Sequence, residues 1–441
     1  MNLKFLLAAS LLLSTTVSFA KKKVETFPNG TPIPAWFADT VKVDDSQLGK
    51  RYVITDYGVK QDSAIVQTGS IQAVIDKAAA QGGGVVVIPR GTFLSGSLFF
   101  KQGVNLYVEE GATLKGSDRI RDFKIVKTRM EGQTLNYFAA LVNADGVDGF
   151  TIAGKGTING NGYNYWEEFW IRRQYNRQCT NLEAMRPRLV YISNSKNVTV
   201  QDVHIINSPF WTNHLYRCEN VRYLGCYIYA PTQGMKAPSS DAIDIDVCQN
   251  ILIHGCYMSV NDDAVVLKGG KGTWADKNPD NGPVSNVIIE DCVYGKSHGC
   301  LTLGSESLHD WNIVLRRCTI KDVNRVLWLK MRPDTPQHYE HVTIDGITGT
   351  CASFLVVRPW TQFFKPEQRD DMPLSTCNDI TIKNINVQCK NFFDVGKSDK
   401  YQLKDFTFEN CIVEDQKEAF DKGLIEGIKV KNVKINGQKK D

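Results

Sequence analysis

Asp241, Asp262, Asp263 and His298 are the residues of this chain whose types and spacing could do acid–base chemistry together. Close carboxylates repel one another, which raises at least one pKa. The result is a proton-carrying acid beside an ionised partner that can act as a base. One such group can protonate a leaving oxygen while the other activates water, which is what cleavage of a glycosidic bond demands. His298 could hold the acid in place or tune its protonation.

Those four residues are useful only if the fold brings them together, and a recurring strand does so. Its copies read Ala-Ile-Asp-Ile-Asp from Ala242, Ala-Val-Val-Leu-Lys from Ala264, Cys-Leu-Thr-Leu-Gly from Cys300, Val-Leu-Trp-Leu-Lys from Val326 and Phe-Leu-Val-Val-Arg from Phe354. The alternate positions Ile243/Ile245, Val265/Leu267, Leu301/Leu303, Leu327/Leu329 and Leu355/Val357 are all aliphatic and point inward. A one-residue slip would turn every side chain over, so this pattern fixes the register. In that register Asp241, Asp263, Gly299 and Arg325 form one column, and Ser240, Asp262, His298 and Asn324 the next, with about 4.8 Å between neighbours. The outward columns then carry Asp244, Val266, Thr302, Trp328 and Val356, followed by Asp246, Lys268, Gly304, Lys330 and Arg358. Acids at one end and a basic, aromatic strip at the other suit an acidic sugar: Lys268, Lys330 and Arg358 could neutralise carboxylates and Trp328 could stack on a ring.

A second strand series sets the coil. A polar residue followed by apolar-x-apolar recurs at Asn197-Val198, Asn220-Val221, Asn250-Ile251, Asn286-Val287, Asn312-Ile313, His341-Val342, Asp379-Ile380, Asp405-Phe406 and Gly427-Ile428. Successive anchors are 23, 30, 36, 26, 29, 38, 26 and 22 residues apart. A period with a floor and variable insertions is the mark of a solenoid. An earlier copy, Phe150-Thr151-Ile152, lies 48 residues before Val198 and reads as two turns away. Helical spacing is almost absent from this region, and within a unit Val287 and Ile289 point inward while Ile288 and Glu290 point outward. The fold expected is all-β: a single-stranded, right-handed parallel β-helix. Cys226, Cys256, Cys292, Cys318 and Cys411 each fall five residues after an anchor, where other coils have Val203, Ile347, Ile385 or Val433. They read as interior packing rather than disulfides, and no C-x-x-C pair suggests a metal site.

Toward the N-terminus the pattern changes. Residues 1–20 carry Lys4, an apolar run from Phe5 to Leu13 and Ser18-Phe19-Ala20, the features of a cleavable signal peptide. Residues 21–441 would then form the β-helix catalytic domain, with an N-terminal cap and first coils over about 50–140. Ser70 to Gln81 has helical periodicity through Ile71, Val74, Ile75 and Ala78 and ends at Gly82-Gly83-Gly84, so a helix there can cap the open end of the solenoid. With 52 basic and 48 acidic residues dispersed along the chain, net charge is +4, which does not suggest a nucleic-acid partner. No later stretch is long and apolar enough for a membrane span. An exported monomer, periplasmic or extracellular, acting on an acidic polysaccharide or oligosaccharide is the expectation.

These motifs resemble the polygalacturonase family of glycoside hydrolases, the pectin-degrading parallel β-helices. The family pattern Asn-Thr-Asp-Gly-x-Asp, Asp-Asp, Gly-His-Gly and Arg-Ile-Lys is matched here by Ser239-Ser240-Asp241-Ala242-Ile243-Asp244, Asp262-Asp263, Ser297-His298-Gly299 and Trp328-Leu329-Lys330. Ile54-Thr55-Asp56-Tyr57-Gly58 and Val87-Ile88-Pro89 resemble the family's N-terminal region. The resemblance implies an inverting hydrolase without metal or other cofactor. Asp262 is then the general acid, Asp241 and Asp263 position and deprotonate water, and His298 supports the acid. Asn207-Ser208-Pro209-Phe210-Trp211 and His214 resemble a motif of exo-acting members, which would place His214 at the non-reducing-end subsite.

The main departure is Trp328 in place of the family's Arg, which helps to grip galacturonate on the leaving-group side. Tryptophan cannot pair with a carboxylate but can stack on a neutral sugar. That favours an exo-acting galacturonidase, or an enzyme cutting galacturonate from rhamnose or another side-chain sugar. Insertions at about 269–283 and 359–376 could block one end of a cleft. The competing readings are a calcium-dependent lyase, disfavoured by the Asp-Asp and Ser-His-Gly motifs, and a non-catalytic glycan-binding β-helix.

Overall fold

The polar residue ahead of each anchor turns the chain. In the computed structural model, which describes residues 24–362 and 364–441, Asn197, Asn220, Asn250, Asn286 and Asn312 have φ between 53° and 58°. This left-handed region is costly for residues with a Cβ, and asparagine is among the few that visit it readily. The same side chains stack from coil to coil. Nδ2 of Asn220 donates to Oδ1 of Asn197 at 3.2 Å, Asn250 to Asn220 at 3.0 Å, Asn286 to Asn250 at 3.0 Å and Asn312 to Asn286 at 2.9 Å. The recurring asparagine thus both bends the backbone and links adjacent coils.

Coils stack by parallel pairing into a β-helix. Most carry three short strands, one more than the two legible series. The anchor sheet includes Lys196–Gln201, Glu219–Leu224, Gln249–His254 and Val284–Glu290. The unexpected sheet includes Thr157–Asn159, His204–Ile206, Tyr227–Tyr229 and Tyr257–Ser259. The third, here the site sheet, runs through Val142–Asp145, Val190–Ser193, Asn213–Tyr216, Ile243–Asp246, Val265–Lys268 and Leu301–Leu303. Its register pairs Ile243 with Val265, Val265 with Leu301, Leu301 with Leu327 and Leu327 with Leu355, as the aliphatic alternation requires.

One expectation is corrected. Thr151 pairs directly with Thr199 and Ile152 with Val200, so Phe150 lies one coil before Val198, not two. The extra length is an excursion containing a helix, Tyr163–Tyr175, which the strand pattern concealed. Its buried face is aromatic: Tyr165, Trp166 and Phe169. The other helix, Thr68–Ala80, covers the N-terminal end of the stack with Ile71, Val74, Ile75 and Ala78 buried. Gly82, Gly83 and Gly84 follow with φ of 93°, 100° and 134°, and a Cβ on Gly83 would meet the Gly103 carbonyl at 2.5 Å.

All twelve cysteines are free and buried. Cys318 pairs in register with Ile347, and Cys411 with Ile385 and Val433, so thiols and aliphatic groups occupy one interior column. Ile288 does point outward, yet it is buried. The segment containing Phe27 and Phe37 lies across Leu224, Leu252, Ile288 and Val314 on the outer face of the anchor sheet. Glu25 with Arg316, Asp39 with Arg222 and Lys42 with Asp202 pin this strap in place. The signal-peptide reading of residues 1–20 falls outside the described residues. No helix among those described is long and apolar enough to cross a membrane.

Asn250→Ala removes two ladder hydrogen bonds and leaves a Cβ residue at positive φ. At about 1 kcal/mol for each bond and about 1 kcal/mol for the backbone, stability falls by about 2–3 kcal/mol. Urea unfolding followed by circular dichroism checks this. Asn250→Gly is expected to recover the backbone share only, and an alanine variant as stable as wild type refutes the role given to the ladder.

Candidate active site

Just before each strand of the site sheet, the backbone continues the ladder. Ala242 N–H donates to Asp263 O at 3.0 Å, Ala264 to Gly299 at 2.7 Å and Cys300 to Arg325 at 2.9 Å. Residues separated by a whole coil are thereby held side by side. One oxygen from each of Asp241, Asp262 and Asp263 lies within 4.8 Å of the others. Nδ1 of His298 is 3.3 Å from Asp262 Oδ1.

Two lysines from the same sheet face supply countercharge. Lys330 Nζ donates to Asp263 at 2.7 Å. Lys268 Nζ lies 3.3 Å from Glu306, 3.4 Å from Asp244 and 3.9 Å from Asp241, and 4.4 Å from the centroid of the Trp211 ring. The three aspartates are close enough to share a cation, and these ammonium groups provide the positive charge there.

Burial and mutual repulsion separate the proton affinities. Asp241 is pushed well above the usual carboxylate range by burial and by the charges of Asp262 and Asp244. Burial lifts Asp244 to about 7 despite Lys268. Asp262 goes the other way: burial is outweighed by His298, Lys330 and Lys268, and its pKa falls. His298 is raised because Asp262 overcomes the burial of the imidazole. Burial lowers the affinity of Lys268 for its proton, but Glu306, Asp244 and Asp241 hold that proton firmly. The titrations belong to the group as a whole. Asp262 keeps 27% of its side chain exposed and His298 41%, while Asp241 and Asp263 are almost covered.

The cluster forms the floor of a cavity of about 500 Å³. An antiparallel hairpin, Ile125–Met130 with Gln133–Phe138, crosses the sheet on one flank. It is held by a buried pair, Arg129 Nε to Asp246 at 3.0 Å, and by Arg188, which donates to Arg129 O at 2.8 Å and Thr128 Oγ1 at 2.7 Å. At its tip Glu131 lines the cavity, accepts from Asn181 at 2.6 Å and pairs with Lys271 at 3.6 Å. The two insertions near 269–283 and 359–376 meet each other: Arg369 donates to Thr273 O at 2.8 Å and Asp276 at 3.0 Å. Trp360 and Gln362 from the second insertion reach the cavity wall, as do Trp170 and Arg173 from the helix at Tyr163–Tyr175.

Of the residues singled out from sequence, Asp241, Asp262, Asp263, His298, Lys268, Trp328 and Lys330 line this cavity. Two do not. His214 is fully buried behind the hairpin, with Nδ1 2.7 Å from Arg188 Nη1 and Nε2 3.5 Å from Asp246. Burial drives its pKa to about 3, so the ring is neutral and braces the wall rather than lining a subsite. Arg358 lies one coil beyond Lys330, donates from Nε to Asp394 at 2.9 Å and borders a separate depression beside Trp360. Lys268 and Lys330 reach the site but are engaged with its acids, so they are not free countercharges for a ligand. Glu306, Glu131, Asn181 and Arg173 were missed. Glu306 follows the strand at Leu301–Leu303 and could have been read by extending its outward column, whereas the others depend on excursions without repeat spacing.

Comparison with known proteins agrees with this geometry. The chain is 26% identical to a probable polygalacturonase from Vitis vinifera over 265 residues, 57% of this chain and 51% of that protein, so it spans about half of that relative. It is 25% identical to an endo-polygalacturonase from Pectobacterium carotovorum subsp. carotovorum over 345 residues, 75% of this chain and 80% of the other. The solved structure of a hyperthermoactive exopolygalacturonase from Thermotoga maritima superposes with a TM-score of 0.69 at 22% identity, covering 88% of this chain and 92% of that one. The model of Glycosyl hydrolases family 28 matches residues 85–330, more than half of the chain and the stretch that holds the acid cluster. The chain therefore belongs to the family 28 glycosyl hydrolases and is a glycoside hydrolase of the polygalacturonase kind.

Proposed function

We propose that this chain is an exported enzyme that removes α-galacturonosyl units from the ends of pectic chains with inversion at the anomeric carbon. The carrying observation is the three-aspartate cluster in a cavity whose flank is closed by the hairpin at 125–138. A wall across the sheet face stops a long chain from lying through the site, whereas a chain end can enter. The likeness to polygalacturonase sequences supports the substrate class, and the hairpin across the sheet face supports the mode of attack. Export rests on the leader-like residues at the start of the chain.

The chemistry follows from the shared proton. In the free enzyme, burial and the neighbouring charges favour the proton on Asp241. Asp262, the most exposed of the three, faces the substrate. Substrate displaces water around Asp262 and adds a negative uronate group, and both effects raise its proton affinity. The shared proton then passes from Asp241 to Asp262, which donates it to the departing glycosidic oxygen as the bond to the anomeric carbon breaks. A water held between Asp241 and Asp263 attacks from the opposite face and gives up its proton to this ionised pair. Inverting sites commonly hold their carboxyl groups about 6.5–9.5 Å apart. The oxygens here are closer, near enough for one water to bridge two of them with hydrogen bonds of about 2.7 Å. Inversion is the stereochemistry of family 28 hydrolases, and a water bridged in this way supplies the nucleophile it needs.

Asp262→Asn is expected to lower kcat by about 10²–10⁴-fold, the usual worth of a general acid, with oligogalacturonate binding largely kept. Retained hydrolysis in this variant removes Asp262 from the role of acid. In time-resolved proton NMR the first product should be the β-anomer of monomeric galacturonate, with little early loss of polymer viscosity. An α-anomer would refute inversion, and a rapid viscosity drop would refute chain-end attack.

The raised pKa values of Asp241 and Asp244 mean that the cluster keeps its proton at low pH and loses it as pH rises through them. kcat/KM therefore falls on the alkaline side. Asp244→Asn removes a negative neighbour that helps Asp241 to retain its proton, so this alkaline limb moves to lower pH. A limb that stays in place excludes Asp244 from the coupled group.

A further inference from the structure

Trp328 is the position at which this chain departs most from the motif it otherwise follows, and its surroundings change what the departure means. The Arg325 guanidinium carbon lies 3.8 Å from the centroid of the Trp328 ring, and Lys330 Nζ lies 4.1 Å from it. Trp360 meets the ring edge-on at 5.3 Å. The residue is 9% exposed. Two cations and a second indole leave little ring area for a sugar to stack on, so Trp328 is a mount for positive charge.

The cations it carries differ in availability. Lys330 is committed to Asp263. Among the described residues the Arg325 side chain has no ion pair, and the one hydrogen bond of its guanidinium runs from Nη1 to the carbonyl of His298 at 3.4 Å. It lines the cavity beside Asp262, Asp263 and His298. Its column, Asp241–Asp263–Gly299–Arg325, places it two coils past Asp263, about 10 Å along the stack and away from the hairpin wall. Burial lowers its proton affinity, yet a guanidinium stays charged throughout the working range.

We propose that Arg325, held by Trp328, recognises the carboxylate of the sugar on the leaving-group side, so that the enzyme selects galacturonate–galacturonate linkages over galacturonate joined to a neutral sugar. The inference rests on the glycosidase reading above and reverses the preference for a neutral leaving group that Trp328 suggests from sequence. A flat guanidinium on an aromatic face is pre-ordered, keeps its donors free at the rim and can present two of them to one carboxylate.

The test compares wild type, Arg325→Ala and Arg325→Lys on trigalacturonate and on 4-nitrophenyl α-galacturonide, whose leaving group has no carboxylate. Arg325→Ala is expected to lower kcat/KM on the trimer by about 10- to 100-fold, the span of one lost charge-assisted hydrogen bond, mainly through KM. The loss on the nitrophenyl substrate should be at least tenfold smaller, and Arg325→Lys should recover part of the trimer activity. Equal losses on both substrates, or none on the trimer, overturn the proposal. Should wild type cleave neither substrate, the glycosidase reading fails on its own. Calorimetry of digalacturonate with Asp262→Asn, with and without Arg325→Ala, then decides for Arg325. A 10- to 100-fold weaker affinity in the double variant supports it, and unchanged or undetectable binding in both overturns it.

Discussion

Several like charges in one poorly hydrated volume are the constraint on which this site depends. Asp241, Asp244, Asp262 and Asp263 would repel one another prohibitively without compensation. Lys268, Lys330 and His298 provide it unequally, and the inequality is useful. Asp263, tied to Lys330 at 2.7 Å, is neutralised by a full charge. Asp241, with Lys268 only at 3.9 Å and shared with two other acids, is left to hold a proton. A site with evenly matched pairs would have no proton to give.

Such electrostatics needs backbone precision that a loop could not supply. The carboxylates sit where a parallel ladder is still forming hydrogen bonds, so their spacing is set by coil stacking. Stacking in turn depends on the asparagine corners and on an interior filled by aliphatic groups and thiols. The hairpin and the two mutually bound insertions are added to this frame without disturbing it. They decide what reaches the acids, while the frame decides what the acids can do.

Periodicity was legible for two of the three sheets, and the third escaped because its strands are only three residues long at Thr157–Asn159, His204–Ile206, Tyr227–Tyr229 and Tyr257–Ser259. The alternation Ile243/Ile245 to Leu355/Val357 fixed the register, and with it the meeting of Asp241, Asp263 and the Asp262–His298 pair. Cys256 and Cys292 could be placed in the core because aliphatic residues share their column. What else was lost lies in excursions that answer to no repeat. The helix at Tyr163–Tyr175 lengthened one coil until it resembled two, and Arg173 and Asn181 went unseen with it. His214 was misplaced for a related reason: its strand position faces outward, but the outward space is filled by a distant hairpin. Likewise Trp328 was legible as an outward aromatic, whereas its coverage by Arg325 is a matter of neighbours three residues earlier and one coil away.

The N-terminal strap has a consequence for the order of assembly. Glu25 reaches Arg316, 291 residues further along the chain, and Phe27 and Phe37 rest on a surface that exists only once Leu224, Leu252, Ile288 and Val314 are aligned in successive coils. Contacts of such sequence separation form after the local ones that create their docking face. This segment, made before the coils that it covers, is therefore among the last to settle, and until it does an apolar stripe along the outside of the solenoid stays open to solvent. The strap acts as a late seal, and shielding that stripe in the meantime falls to whatever accompanies the nascent polypeptide.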